Sequence, residues 1–233
     1  MILRDAIFIR RAVRKYSTDL PSEEMQNDAL TIARDADSLV GQKARFELAG
    51  KDRVSGSSAP CHILAYSEST DASVANVGYQ LQKADLYLQS RGLGSIWLGS
   101  GKPKAAKDKA DFTFLLAFGK TAEPTRTGEA DFNRLPVSEI SNEDNPVANA
   151  VRLAPSAVNF QPWQLVFSPG KLVIKYKGRG PMKIVPMVKK MNKMDVGIAA
   201  RHAVVELANE GKKVQSVKPV GEGNNFTIEI TYE

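Results

Sequence analysis

The sequence predicts an α+β fold, with mixed or antiparallel sheets and helices packed on them. Three observations carry this. The longest apolar stretches, such as His62–Tyr66 and Phe112–Phe118, are strand-length. Between them lie segments with helical spacing, such as Val74, Val77, Leu81 and Leu88. The second half also repeats the first weakly: Asn76-Val77-Gly78 lines up with Asp195-Val196-Gly197, and Phe112-Thr113-Phe114 with Phe226-Thr227-Ile228. Ala59-Pro60-Cys61-His62 resembles Gln161-Pro162-Trp163-Gln164. Each half then reads helix, strand, helix, strand, as expected of a duplicated unit. We expect two pseudo-twofold-related halves, residues 1–140 and 141–233, forming one globular unit.

The elements follow in order. Leu3 to Arg10 is a short helix, and Arg10 and Arg14 share a face if it continues. Leu20-Pro21-Ser22-Glu23-Glu24 starts a helix, with an early proline, a serine cap and acids in the first turn, running to about Leu39. Residues 41–58 are ambiguous. His62–Tyr66 is a strand, Ala72–Arg91 a helix ended by Gly92, Gly94–Gly99 a short strand, and Phe112–Phe118 a strand. Residues 120–140 form an arm without period, and Val147–Leu153 is helical. Lys171–Tyr176 is a strand after a Pro169-Gly170 turn, residues 178–193 a basic loop with some helix, and Met194–Lys212 a helix. Val214–Val217 and Asn225–Tyr232 are strands.

At 233 residues, with 42% apolar and 25% charged side chains, the chain can build a sizeable core. No apolar run is long enough to span a membrane, and the first residues carry Asp5 and no signal-peptide pattern. A single cysteine, Cys61, excludes an intramolecular disulfide, so the cytoplasm is the expected compartment. The net charge of +6 is spread out, with clusters at Arg10–Lys15, Lys102–Lys109 and Lys183–Lys193. No aromatic RNA-binding signature, zinc spacing or recognition helix accompanies them, which argues against nucleic acid.

Few residues could carry catalysis directly. His62 lies in an apolar run and His202 mid-helix, and Cys61 reads as a buried small residue. H-E-x-x-H, C-x-x-C and G-x-S-x-G are all missing. An enzyme built this way relies on a cofactor's own chemistry.

Four stretches stand out. Arg10-Arg11-Ala12-Val13-Arg14-Lys15-Tyr16 is either solvated surface or a set of guanidinium forks for phosphate. Gly92–Ser100 is a turn into a core strand or a thin apolar bed for a flat ligand, with Trp97 facing pocket or core. Arg134 sits in the irregular Phe132–Pro136 segment. Leu153–Phe167 ends a helix at Pro155, turns through Ser156 and Asn159, and enters a strand after Pro162-Trp163. It is an ordinary turn or a ligand loop on a rigid frame.

Together these stretches resemble the nitroreductase family of FMN-dependent oxidoreductases. Ala154-Pro155-Ser156-Ala157-Val158-Asn159-Phe160-Gln161-Pro162-Trp163 is similar to its most specific signature. The arginine cluster resembles its phosphate motif, Gly92–Gly99 the strand passing the flavin ring, and Asn133–Pro136 the arm with a second phosphate arginine. The signature comes here about 140 residues after the arginine motif, instead of some twenty to thirty; Ala36-Asp37-Ser38-Leu39 stands in its usual place. Members of that family are typically homodimers in which one subunit gives the arginines and ring strand and the other the Pro-Ser…Asn loop. The resemblance therefore implies a fused, single-site form, working as a monomer with one FMN per chain.

The cofactor-binding residues so implied are Arg10, Arg11, Arg14, Leu98, Gly99, Arg134, Pro155, Ser156, Ala157 and Asn159. Arg10, Arg14 and Arg134 would hold phosphate, with Arg11 near phosphate or ribityl. Ser156 and Asn159 would bond ribityl or the pyrimidine edge, and backbone near Leu98-Gly99-Ser100 would face N5 and O4. No side chain is implied as catalytic and no metal is expected. The implied activity is hydride transfer from NAD(P)H through flavin N5 to a nitroaromatic, quinone or similar small-molecule acceptor. The alternative is a flavin-binding protein with little or no turnover. Ala12 and Ala157 replace hydroxyl residues common in the family, and Phe132 stands where a second basic residue is frequent.

Overall fold

The computed structural model describes residues 3–105, 111–180 and 185–233. It is α+β, as expected, with helices packed on antiparallel sheets. The chain divides into two compact units. The first comprises Met1–Asp37, Lys43–Ser69 and Gln80–Glu129; the second comprises Ser38–Gln42, Thr70–Tyr79 and Ala130–Glu233. The residues from Ala130 onward belong to the second unit.

In the first unit, α1 (Leu3–Ile9) and α2 (Glu23–Asp35) precede a sheet of β1 (Arg45–Gly50), β3 (Cys61–Tyr66), β6 (Phe112–Gly119) and β4 (Gly94–Trp97), in that spatial order. A small ribbon pairs β2 (Val54–Ser55) with β5 (Lys102–Pro103). Ser22 caps α2, its Oγ accepting from the Met25 N–H at 3.3 Å. The core beside β3 holds Leu64, Tyr66, Ile96, Leu115 and Ala117, with Ala12 and Leu98 packed against it.

In the second unit, α4 (Val137–Ile140) and α5 (Pro146–Arg152) lead into a sheet ordered β7 (Trp163–Ser168), β8 (Lys171–Tyr176), β10 (Thr227–Tyr232) and β9 (Val214–Val220), covered by α6 (Pro186–Asn209). Asn145 caps α5 through the Ala148 N–H, and Pro146 takes the first helical position. Trp163, Leu165, Leu172, Ile174, Ile228 and Ile230 point inward at alternate positions.

The two main sheets share one topology. In each, the spatial order is first, second, fourth, third strand, and a long helix joins second to third: α3 (Asp71–Ser90) in one, α6 in the other. This supports duplication, but the repeating unit is hairpin, helix, hairpin rather than helix, strand, helix, strand. It also corrects one alignment. The counterpart of β3 is β8, not the Trp163 strand, because two apolar strands look alike until their partners are known.

The first turns of α3, Asp71–Tyr79, belong to the second unit, where they cross α6 at two glycines. A Cβ on Gly78 would fall on the Met194 carbonyl, and one on Gly197 on the Ala75 carbonyl. Gly78 and Gly197 are 119 residues apart, and so are Ala75 and Met194. Equivalent residues therefore exchange roles, so the crossing is locally twofold symmetric. Backbone touches backbone there, which only a residue without a Cβ allows.

Other expectations shift by some residues. Helix α2 ends at Asp35 rather than near Leu39, because Ala36 turns to extended backbone (ψ 141°). Helix α6 begins at Pro186 and not at Met194, the lysine- and methionine-rich run being helical; residues 181–184 of the expected basic loop lie outside the described residues. Residues 106–110 of the second lysine cluster do too. Helix α1 stops at Ile9, so Arg10 and Arg14 share no helix face. The expected arm at residues 120–140 contains α4 at its end. Among the described residues, no helix is long and apolar enough to cross a membrane.

Candidate functional site

In the first unit the arginine motif lies against β4, the edge strand of its sheet. Ala12 forms a parallel bridge with Ser95, and the Val13 N–H donates to the Ser95 carbonyl at 3.0 Å. The sequence supplies this through Gly94, where a Cβ would press on Val13. Arg126 holds the preceding turn, donating to the carbonyls of Ile9 (through its N–H, at 3.0 Å) and Arg10.

The three arginines are placed differently. Arg10 is 2% exposed, and its Nε donates to Asp85 Oδ2 at 3.0 Å. Arg11 is half-buried, bonding the Pro124 carbonyl at 2.9 Å and pairing with Glu123 at 3.3 Å. Arg14 is exposed, while its backbone N–H and that of Lys15 donate to Glu123 Oε1. These contacts hold the Glu123 carboxyl below its ordinary range, the Lys15 amide contributing most.

Beneath the motif runs a buried polar stripe on α3 that sequence reasoning missed. Gln82, Asp85 and Gln89 recur at helical spacing on one face. Asp85 Oδ2 accepts from Arg10 and from Gln82 Nε2 (2.9 Å), while its Oδ1 accepts from Ser95 Oγ (2.5 Å). Gln89 Nε2 donates to Ser95 Oγ (2.8 Å) and to the Arg11 carbonyl (2.7 Å). The Trp97 indole N–H donates to Gln82 Oε1 at 3.0 Å, so Trp97, half-buried, is tied to this network. Buried polar groups require such partners, and here they lock the arginine motif to β4. The signal was present: Gln82, Asp85 and Gln89 lie on one face of a helix that also carries Val74, Val77, Leu81, Leu86 and Leu88. It reads as a solvated face until the helix proves to be buried all round. Leu98 and Gly99 follow β4 and are half-buried, Leu98 packing on the core.

In the second unit the Pro155–Gln161 loop is strained. Val158 (φ 45°), Asn159 (φ 60°) and Gln161 (φ 49°) all have left-handed backbone. For a β-branched residue such as Val158 this is a genuine outlier, costing on the order of 1–2 kcal/mol. Val158 is also 66% exposed. Backbone strain of this kind persists only where surroundings over-determine it, and it concentrates at functional sites.

The surroundings are visible. Arg134 Nη1 donates to Asn159 Oδ1 at 2.6 Å, and Asn159 Nδ2 to the Asn133 carbonyl at 2.8 Å. The Leu135 N–H donates to Gln161 Oε1 at 2.9 Å. The Gln161 N–H donates to Ser156 Oγ at 2.9 Å, and the Ala157 N–H to Asp195 Oδ2 at 3.0 Å. Phe132, buried, lies 5.6 Å beneath the Arg134 guanidinium, a cation–π support where a second basic residue was noted as frequent. The structure thus joins Arg134 to Asn159, in the loop that also carries Ser156 and Ala157, and Pro155 stands half-buried at the loop's start. Sequence spacing gave no sign that arm and loop are sewn together. In the same unit, the buried Trp163 indole N–H and the Asn192 carboxamide have no hydrogen-bond partner among the described residues.

His62, His202 and Cys61 are all buried. His62 bonds the Ala49 carbonyl and Ser57 Oγ, and burial lowers its pKa. His202 bonds the Ala150 carbonyl at 2.9 Å. Burial pushes the Cys61 thiol up to about 11, away from thiolate chemistry. Among the described residues, no cluster of three or more His, Cys, Asp or Glu could hold a metal.

Comparison with known proteins gives the setting. The family model for TM nitroreductases, of the TM1586 type, matches residues 3–207. A nitroreductase from Thermotoga maritima superposes with a TM-score of 0.71 at 21% identity, covering 99% of this chain and 94% of that one. A nitroreductase family protein from Clostridium difficile 630 gives 0.49 at 19% identity, over 62% and 99%. A nitroreductase from Desulfovibrio desulfuricans, determined in complex with FMN, gives 0.46 at 20%, over 61% and 96%. No curated protein matches. With a family match over most of its length and the fold of the Thermotoga protein throughout, the chain belongs to the TM nitroreductase family.

Proposed function

We propose that this chain is an FMN-dependent NAD(P)H oxidoreductase with one flavin site. The observation that carries the reading is the strained Ser156–Gln161 loop, held by Arg134 and Asn133 and presenting Val158 and Asn159 in left-handed conformation. The loop resembles the family's most specific signature, and its most strained residue, Val158, faces solvent.

The residues present fit FMN. A phosphate dianion needs guanidinium forks with access; exposed Arg14 would supply one, and half-buried Arg11 would share its guanidinium with the Pro124 carbonyl and Glu123. Arg10, buried on Asp85, would act from beneath by fixing the motif's backbone. Arg134 would add charge beside Asn159, and Ser156 and Asn159 are the polar side chains of the loop. Leu98 and Gly99 would offer a thin strand end to an apolar ring. Bound FMN would supply two-electron chemistry, between NAD(P)H and a nitroaromatic, quinone or similar acceptor. The protein's part is then binding, orientation and electrostatics. The chain would carry a complete site by itself, as a monomer, and its single buried cysteine suits the cytoplasm.

The test is optical. FMN-loaded protein given NADH or NADPH should lose its yellow colour and recover it when a quinone is added. Bound flavin that stays oxidised under an excess of both nucleotides favours the second reading, a flavin-binding protein without turnover; the two alanines noted above, Ala12 and Ala157, are the observation behind it.

A further inference from the structure

Two loops of the second unit are fastened to the two long helices by the same device. The Leu39 N–H donates to Asn76 Oδ1 on α3 at 2.8 Å, and the Ala157 N–H to Asp195 Oδ2 on α6 at 3.0 Å. Each donor directly follows a serine, Ser38 or Ser156. Each acceptor stands two residues before a crossing glycine, Gly78 or Gly197. The donors are 118 residues apart and the acceptors 119. Ala36 and Ala154, both fully buried, precede the two loops. Ser38-Leu39 is therefore the structural twin of Ser156-Ala157.

The twins have diverged. In the first, Asn76 Oδ1 also takes the Ser38 hydroxyl at 3.1 Å, Leu39 is buried, and no residue is left-handed. In the second, Ser156 Oγ turns to its own loop's Gln161 N–H, and Val158 and Asn159 stand in left-handed backbone. One copy is packed shut and the other is held open.

We propose that Asp195 is the positioning residue of the flavin loop, fixing Ser156–Asn159 through the Ala157 N–H, and that Asn76 does the same for a retired copy that takes no flavin. The functional half of this inference rests on the flavin reading above. Complete burial holds the Asp195 carboxyl well above the ordinary carboxylate range, and the Ala157 N–H only partly offsets this. A neutral carboxylic acid presents the same carbonyl acceptor as a carboxamide. The loop thus needs an acceptor at position 195, not a charge, as the Asn76 twin illustrates.

The experiment uses the full chain in four forms: wild type, Asp195→Ala, Asp195→Asn and Asn76→Ala. Two quantities are measured: FMN affinity by flavin fluorescence quenching, and amide hydrogen exchange of peptides covering residues 36–42 and 155–161 without flavin. Asp195→Ala should speed exchange in 155–161 and weaken FMN binding about tenfold, while Asp195→Asn returns both to near wild type. Asn76→Ala should speed exchange only in 36–42 and leave FMN affinity within about twofold of wild type. If Asp195→Ala fails to fold, Asp195→Leu fills the volume without an acceptor and should give the same losses. Unchanged exchange in 155–161, failure of Asp195→Asn to rescue, or equal weakening of FMN by Asn76→Ala each overturns the proposal. A wild-type chain that binds no FMN defeats the flavin reading and the functional half of this one, and exchange alone then decides the fastening.

Discussion

Arg134 and Asn159, 25 residues apart in sequence, are joined by a 2.6 Å hydrogen bond from guanidinium Nη1 to side-chain Oδ1. The family resemblance implies a flavin contact for each, and the bond makes them one assembly. Arg134→Ala and Asn159→Ala should therefore be non-additive. A double-mutant cycle on denaturant stability should show a coupling of about 0.5–2 kcal/mol, the lower part of the range reflecting partial exposure. Additive losses would mean that the pair acts independently.

Val158 carries the loop's strain. Val158→Gly relieves a left-handed β-branched residue but adds freedom to the unfolded chain, so the expected net gain is about 1 kcal/mol. Thermal unfolding should rise by about 2–4 °C. A fall in stability would show that the side chain makes compensating contacts despite its exposure.

Gly78 and Gly197 form one crossing. Either Gly→Ala change forces a Cβ onto a backbone carbonyl that cannot swing aside, so each should cost at least about 1–3 kcal/mol. The double variant should cost less than the sum, because either change alone already separates the helices. Gly92→Ala is a control that meets no atom within 4 Å, though its φ of 77° carries local strain.

Asp195 makes stability depend on pH. Its carboxyl is raised in the folded state, so the native chain binds a proton that the unfolded chain releases. Its contribution is full below the ordinary aspartate range and is lost as pH rises through the raised folded value. Asp195→Asn removes that loss. The variant should match wild type at acid pH and become progressively more thermostable as pH rises, by about 2–4 °C for each kcal/mol involved. Melting curves across roughly pH 4 to 9 measure this, and a difference that does not vary with pH would contradict the buried, protonated carboxyl.

The parts legible in the sequence were those with local causes. Ser22 starts a helix by capping chemistry that needs no tertiary context, and the alternation Phe226, Ile228, Ile230 reads as a strand wherever it packs. The Pro155–Trp163 signature placed the loop correctly. What escaped depends on remote partners. Asp85, Gln82 and Gln89 look like a wet helix face, and only the burial of α3 on every side reveals them as a network under Arg10 and Ser95. Lys189 and Lys190 suggested a loop, yet they continue a helix whose next turns are buried. The twin loops at Leu39 and Ala157 share little beyond a serine; their equivalence is carried by one backbone hydrogen bond each.

The central claim is that one chain holds one FMN. The direct measurement is a titration of purified, flavin-free protein with FMN, followed by quenching of flavin fluorescence at a protein concentration well above the dissociation constant. The account predicts a break at one FMN per chain, abolished or strongly weakened in Ser156→Ala/Asn159→Ala with the fold intact by circular dichroism. Two FMN per chain, no saturable binding, or wild-type affinity in that double variant would contradict it.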